Sequence, residues 1–180
     1  MAVSPAFLVY VSAYGLAALG CGIAFVRARR VTDPDTRRGL VGLLAASGGW
    51  AATQLGFLVA PTPELGYWAY VVSLVVGLTT VGAWLYFCSA YTGRSFHHNR
   101  GYRRAAVAVY LGIVAVKLTN PLHGWYFRTS FVTTPFPHLT ITHGTFHWVV
   151  SGLSYALVAV GFFMVYELFL ERAVRLEVEP

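Results

Sequence analysis

Long apolar runs separated by short polar links set the pattern of this chain. Five of them, Ala6 to Val26, Gly39 to Ala60, Tyr67 to Tyr91, Ala105 to Leu122 and Trp148 to Phe169, approach or exceed the about 20 helical residues needed to cross a hydrocarbon core about 30 Å thick. Lipid offers no partner to backbone N–H and C=O groups, and the runs lack the short alternation of barrel strands. Each run is therefore predicted to be a helix that satisfies its own backbone. The expected fold is an all-α integral membrane protein: an up-and-down bundle of about five transmembrane helices over residues 1–171, with a tail at 172–180. One link departs from this pattern. Between Gly124 and Gly144, Phe131, Val132 and Thr133 are separated from Leu139, Thr140 and Ile141 by Pro135, Phe136, Pro137 and His138, which predicts a small β-hairpin outside the bundle. Trp125, Tyr126 and Phe127, just before it, are expected in the head-group belt.

Composition strengthens the membrane reading and excludes other classes. Charged residues make up 11% of the chain and hydrophobic ones 57%, whereas a soluble domain carries about 25% charge. That is too little polar side chain to cover a water-soluble surface. Disorder is excluded by the hydrophobicity, and a disulfide scaffold by the count of two cysteines. The net charge of +6 is unevenly placed. Arg27, Arg29, Arg30, Arg37 and Arg38 flank the first link, Arg94, Arg100, Arg103 and Arg104 fill the third, and Arg172 and Arg175 follow the last run. The second link carries only Glu64 and the fourth only Arg128. The positive-inside rule then puts the N-terminus outside and the C-terminus in the cytoplasm, with the arginines anchored to lipid head groups and no nucleic-acid partner expected. The first run has its arginines after it, so it is expected to persist and not to be cleaved as a signal peptide. Cys21 and Cys88 fall near the cytoplasmic ends of their helices and read as small apolar filler. His97 and His98 are adjacent, project in different directions and have no obvious companion ligand, so a solvated anchor is the preferred reading of their link.

Candidate chemistry lies where polar residues interrupt the spans. Ser47, Trp50 and Gln54 share a face of the second helix, Ser73, Gly77, Thr80 and Trp84 a face of the third, and His143, His147, Ser151 and Tyr155 a face of the fifth. Gln54, Ser73 and Lys117 fall in one layer roughly 7 to 9 Å below the outer boundary, counting about 1.5 Å of rise per residue. Helix association through small and polar residues, including Gly49, Gly56, Gly77 and Gly82, accounts for much of this. Lys117 asks for more, because an ammonium at that depth must snorkel outward or find a partner. A ligand site lined by Gln54, Lys117, Asn120, His123 and His147 is the expectation. His143 and His147, at i and i+4, raise an outer metal or haem site as an alternative, and a pH-responsive cluster is equally open. A small transporter or channel subunit is a further alternative, although no charge lies deep in the inner halves. No carboxylate pair, activated nucleophile or phosphate loop is present, so neither enzymatic activity nor a cofactor is expected.

Ala90, Tyr91, Thr92, Gly93 and Arg94 at the end of the third run, then Leu118, Thr119, Asn120, Pro121, Leu122 and His123 at the end of the fourth, resemble the N-terminal seven-transmembrane sensor region of prokaryotic histidine kinases. The stretch from His143 to Tyr155 is similar to that region's next span. The resemblance implies a multi-pass module of the cell membrane that receives a signal and passes it to a cytoplasmic partner or kinase, often as a homodimer. Five spans are visible where the family has seven. Nothing after Glu171 resembles a kinase domain, so either a shortened relative or a fragment of a longer product is expected.

Overall fold

The computed structural model describes residues 4–134 and 136–178, with side chains beyond Glu171 described only at Ala173. The side chains of Arg172 and Arg175, counted in the charge asymmetry, and Pro135 of the hairpin turn lie outside the described residues. The chain is mostly helical: α1 (Pro5–Ala28), α2 (Pro34–Leu58), α3 (Pro63–Tyr91), α4 (Arg100–Leu118), the short α5 (Asn120–His123), β1 (Phe127–Val132), β2 (His138–His143) and α6 (Thr145–Val178). Local chemistry sets the starts. Prolines occupy the first turns of α1, α2 and α3, where a missing N–H costs nothing. The Asp33 carboxylate accepts from Thr36 N at 2.7 Å, the Thr62 hydroxyl from Leu65 N at 3.3 Å, and the Asn99 amide oxygen from Gly101 N and Tyr102 N.

Among the described residues, four helices are long and apolar enough to cross a membrane: α1, α2, α3 and Thr145–Glu171 of α6. The fourth sequence run behaves differently. Its helix begins earlier than expected, behind the Asn99 cap, so Arg100, Arg103 and Arg104 stand in its opening turns and reduce its apolarity. It also ends earlier, at Leu118, and Pro121 begins the separate turn of α5. At the other end of the chain, α6 does not stop at residue 171 but continues as helix to Val178, into the stretch expected to be a tail.

Helix α3 is central, packed against α2, α4 and α6, while α1 packs on α2 at the periphery. Large apolar side chains cover the outside; Leu8, Leu16, Leu19 and Ile23 of α1 are all more than half exposed, which is tolerable only where the solvent is lipid. Close approach depends on glycine. A Cβ on Gly39 would lie 2.7 Å from the Phe87 Cα of α3, one on Gly48 would meet Cys21 of α1 at 3.0 Å, and one on Gly77 would meet the Trp50 ring at 3.1 Å. The faces holding Trp50 and Gly77 thus do meet. Gly56 and Gly82, expected to act the same way, have nothing among the described residues within 4 Å of a Cβ. Trp84 donates from its indole N–H to the Val158 carbonyl at 3.1 Å, tying α3 to α6.

The expected hairpin is present. Antiparallel β1 and β2 pair from Phe127 with His143 to Val132 with His138. The strands begin earlier than Phe131 and end later than Ile141, and Thr133 lies in the turn. The hairpin lies against the end of the bundle, with Leu139 over Gly66 of α3 and Phe136 at its tip in edge contact with Phe7 of α1. Two of the three belt aromatics turn inward. Trp125 is exposed as expected, but Tyr126 and Phe127 are 2% and 1% exposed and form one core with Tyr70, Val71, Ile113 and Val150. Burial of two large rings against α3, α4 and α6 outweighs a place among head groups.

Candidate functional site

The site lies under the hairpin, where α3, α4 and the start of α6 meet. Lys117 is 2% exposed and does not snorkel. Its ammonium donates to the Leu74 carbonyl of α3 at 2.6 Å and stands 5.2 Å from the centroid of the Tyr126 ring. A helix carbonyl and a π face replace water on two sides of the charge. Burial pushes the Tyr126 phenol up to about 12, so this ring stays neutral and acts on Lys117 through its face.

Asn120 is 3% exposed and fully engaged. Its side-chain oxygen accepts from Tyr126 N at 3.0 Å and Phe127 N at 3.3 Å, and its amide nitrogen donates to the Phe127 carbonyl at 2.9 Å and the Tyr67 hydroxyl at 3.3 Å. These four bonds pin the entrance of β1 to α5 and α3. With no polar atom to spare, Asn120 holds the wall of the site and has nothing left to offer a ligand.

The two histidines come together by a route other than helical spacing. His143 ends β2, Gly144 makes the corner, and only His147 belongs to α6. Gly144 is needed there because a Cβ would run into the Trp125 carbonyl, with its carbon at 2.9 Å. The expected His143 to Tyr155 stripe is therefore not one helix face, and Tyr155 is exposed. The imidazoles nevertheless stack with centroids 3.8 Å apart. His143 Nε2 lies 2.9 Å from the Tyr70 hydroxyl, while among the described residues the buried His147 Nδ1 has no hydrogen-bond partner. Burial lowers the pKa of His143 below its ordinary value. The His147 ring meets Tyr126 edge-on at 5.3 Å. An open groove of about 550 Å³, lined by Trp125, Arg128, Thr142, His143 and Phe146 among others, gives access from the side.

Tyr126 is thus the common neighbour of three residues picked out from the sequence, Lys117, Asn120 and His147. The other two do not join them. His123 forms a local cap, accepting from Trp125 N at 3.0 Å and lying 3.2 Å from the Thr119 hydroxyl. Gln54 is half-buried on α2, and among the described residues no hydrogen bond ties it to this cluster. Tyr67, Tyr70 and Tyr126 were missed as site residues. For Tyr126 the available signal was Gly124 just before it, whose positive φ of 63° ends α5 and turns the chain back over the bundle.

No curated protein and no solved structure matches the chain. The family described as the N-terminal 7TM region of histidine kinase matches residues 8–177, from the second turn of α1 to the end of α6. This non-catalytic input region of signal transduction accords with the four apolar helices and with the resemblance carried by Tyr91 to Arg94 and Leu118 to His123. The chain is a membrane protein and belongs to the family of N-terminal 7TM sensor regions of histidine kinases.

Proposed function

We propose that this bundle is a multi-pass sensory module of the cell membrane, with its N-terminus and hairpin outside and its C-terminus in the cytoplasm. It perceives a ligand or a protonation event around Lys117, His143, His147 and Tyr126, and passes it to cytoplasmic signalling machinery of the kinase type. In this reading α4 is a fifth span, its opening arginines at the cytoplasmic head groups and Lys117 held by protein instead of lipid. A homodimer suits the long apolar faces left on α1 and α6. The observation that carries the proposal is the continuity of α6. One unbroken helix begins beside the buried polar cluster at His147 and runs to Val178, about 51 Å from end to end at 1.5 Å per residue. About two-thirds of the way along it, Glu167 is ion-paired with Arg94 of the link after α3. A change in packing at His147 has a rigid path to the cytoplasmic side, where two arrangements of α6 against α3 supply the output.

Spin labels at the exposed positions Tyr91 and Leu170, with Cys21 and Cys88 replaced by alanine, report the separation of α3 and α6 in reconstituted bilayers. Lys117→Met and His147→Phe are each expected to shift that distance distribution while helix content is unchanged. Distributions identical to wild type in both variants refute coupling between the cluster and the cytoplasmic end.

A further inference from the structure

At the opposite end of the bundle the fold brings together groups far apart in sequence. Asp35 stands in the first turn of α2, and His97 and His98 lie in a single 3₁₀ turn between α3 and α4. One ligand atom from each of the three lies within 4.8 Å of the others. His98 Nε2 is 3.2 Å, and His97 Nε2 3.7 Å, from the same carboxylate oxygen, Asp35 Oδ2. Tetrahedral bonds of about 2.0–2.1 Å around zinc put ligand atoms about 3.3 Å apart, so the two contacts to the carboxylate need only small adjustment, and rotation of the exposed His98 ring can bring the imidazole nitrogens together.

His97 is the informative member. Its side chain is 5% exposed, and among the described residues its buried Nε2 has no hydrogen-bond partner. The other ring nitrogen is committed. The Ser89 hydroxyl donates to the Arg94 carbonyl at 3.2 Å and lies 2.9 Å from His97 Nδ1, so its oxygen can accept from that nitrogen. In the tautomer with its proton on Nδ1, which a cation at this position selects, Nε2 presents a lone pair beside Asp35 Oδ2. Two imidazoles, with centroids 4.0 Å apart, face that one oxygen. Two imidazolium ions so close would repel, whereas one divalent cation satisfies all three ligands. The serine contact is the kind of outer partner that orients metal-binding histidines. Arg38 and the Tyr86 hydroxyl both engage the other oxygen, Oδ1, at 3.0 and 3.4 Å, leaving Oδ2 for the cation. His98 is 64% exposed, so solvent can complete the coordination.

We infer that Asp35, His97 and His98 bind one divalent transition-metal ion of the zinc class, stitching the first turn of α2 to the link after α3. Two imidazoles and one carboxylate suit zinc and its neighbours and not calcium or magnesium, which take oxygen ligands. The test uses the tag-free chain in nanodiscs, titrated with Zn²⁺ in competition with a chromophoric chelator. One zinc per chain is expected, with affinity lowered about tenfold or more in His98→Ala and in Asp35→Asn. His98 is exposed enough that its loss should leave the fold intact, and circular dichroism checks this. A wild-type chain that takes up no zinc overturns the inference, and so does unchanged affinity in either variant.

Discussion

Replacing Asn120 by alanine removes the four hydrogen bonds that pin the entrance of β1 to the bundle. Three of them satisfy main-chain groups of residues at most 2% exposed: Tyr126 N, Phe127 N and the Phe127 carbonyl. A buried polar group left without a partner costs about 1–3 kcal/mol. Three such groups give about 3 kcal/mol as a lower figure, since water entering the small space left by the amide recovers part of a larger loss. Asn120→Asp keeps the acceptor and loses the donor, so it should fall between alanine and wild type. The assay is reversible unfolding in mixed micelles, followed by proteolysis of the hairpin and by fluorescence of Trp125 and Trp148 on either side of it. Asn120→Ala should lower stability by about 3 kcal/mol or more and open the hairpin to protease first. A loss below about 1 kcal/mol, or an equal loss spread over all helices, refutes the view that this side chain is the latch.

Gly39→Ala puts a methyl 2.7 Å from the Phe87 Cα, forcing two backbones apart, and should cost about 1–3 kcal/mol in the same unfolding assay. Gly56→Ala, with open space around it, should be neutral or gain up to about 1 kcal/mol from helix propensity. The hairpin end should also weaken in acid. His143, facing Tyr70, His147 and Trp148 with Lys117 and Tyr126 beyond, has its pKa lowered from 6.5 by burial, so the unfolded chain takes up the proton first. Stability is then complete above about pH 6.5 and declines as the pH falls toward the folded value. His143→Gln should flatten that decline in a denaturation series, and stability rising on acidification would contradict it. Arg94 and Glu167 are each about one-third exposed, so their ion pair contributes about 0–1 kcal/mol. Charge reversal at either position should loosen the end of α6 in hydrogen exchange, and Arg94→Glu combined with Glu167→Arg should restore it.

Much of the bundle was legible because hydrophobic length is a local property. A run such as Pro63–Tyr91 is helical in lipid whatever its neighbours do, since its backbone has no other partner. The fourth run shows the limit of that rule. Its length was read from apolar residues alone, while a cap at Asn99 and a proline at Pro121 set the real ends, at Arg100 and Leu118. Depth counting placed Lys117 level with Ser73, and the lysine does meet α3 one residue further on, at Leu74. Histidine spacing, by contrast, assigned His143 to a helix it does not belong to, because a glycine corner can bring two rings together as readily as a helical turn can.

The sequence by itself therefore determined the solvent, the long helices, the hairpin and the layer in which polar groups collect. Those depend on hydrophobic runs, caps and turn residues a few positions apart. Only the tertiary structure decided which polar groups serve a site and which hold the fold. Asn120 became a latch because Tyr126 and Phe127 folded inward and needed its amide, and His97 and His98 gained a companion because the first turn of α2 lies against the end of α3. Both outcomes depend on contacts between segments many residues apart, which helix-by-helix periodicity does not encode.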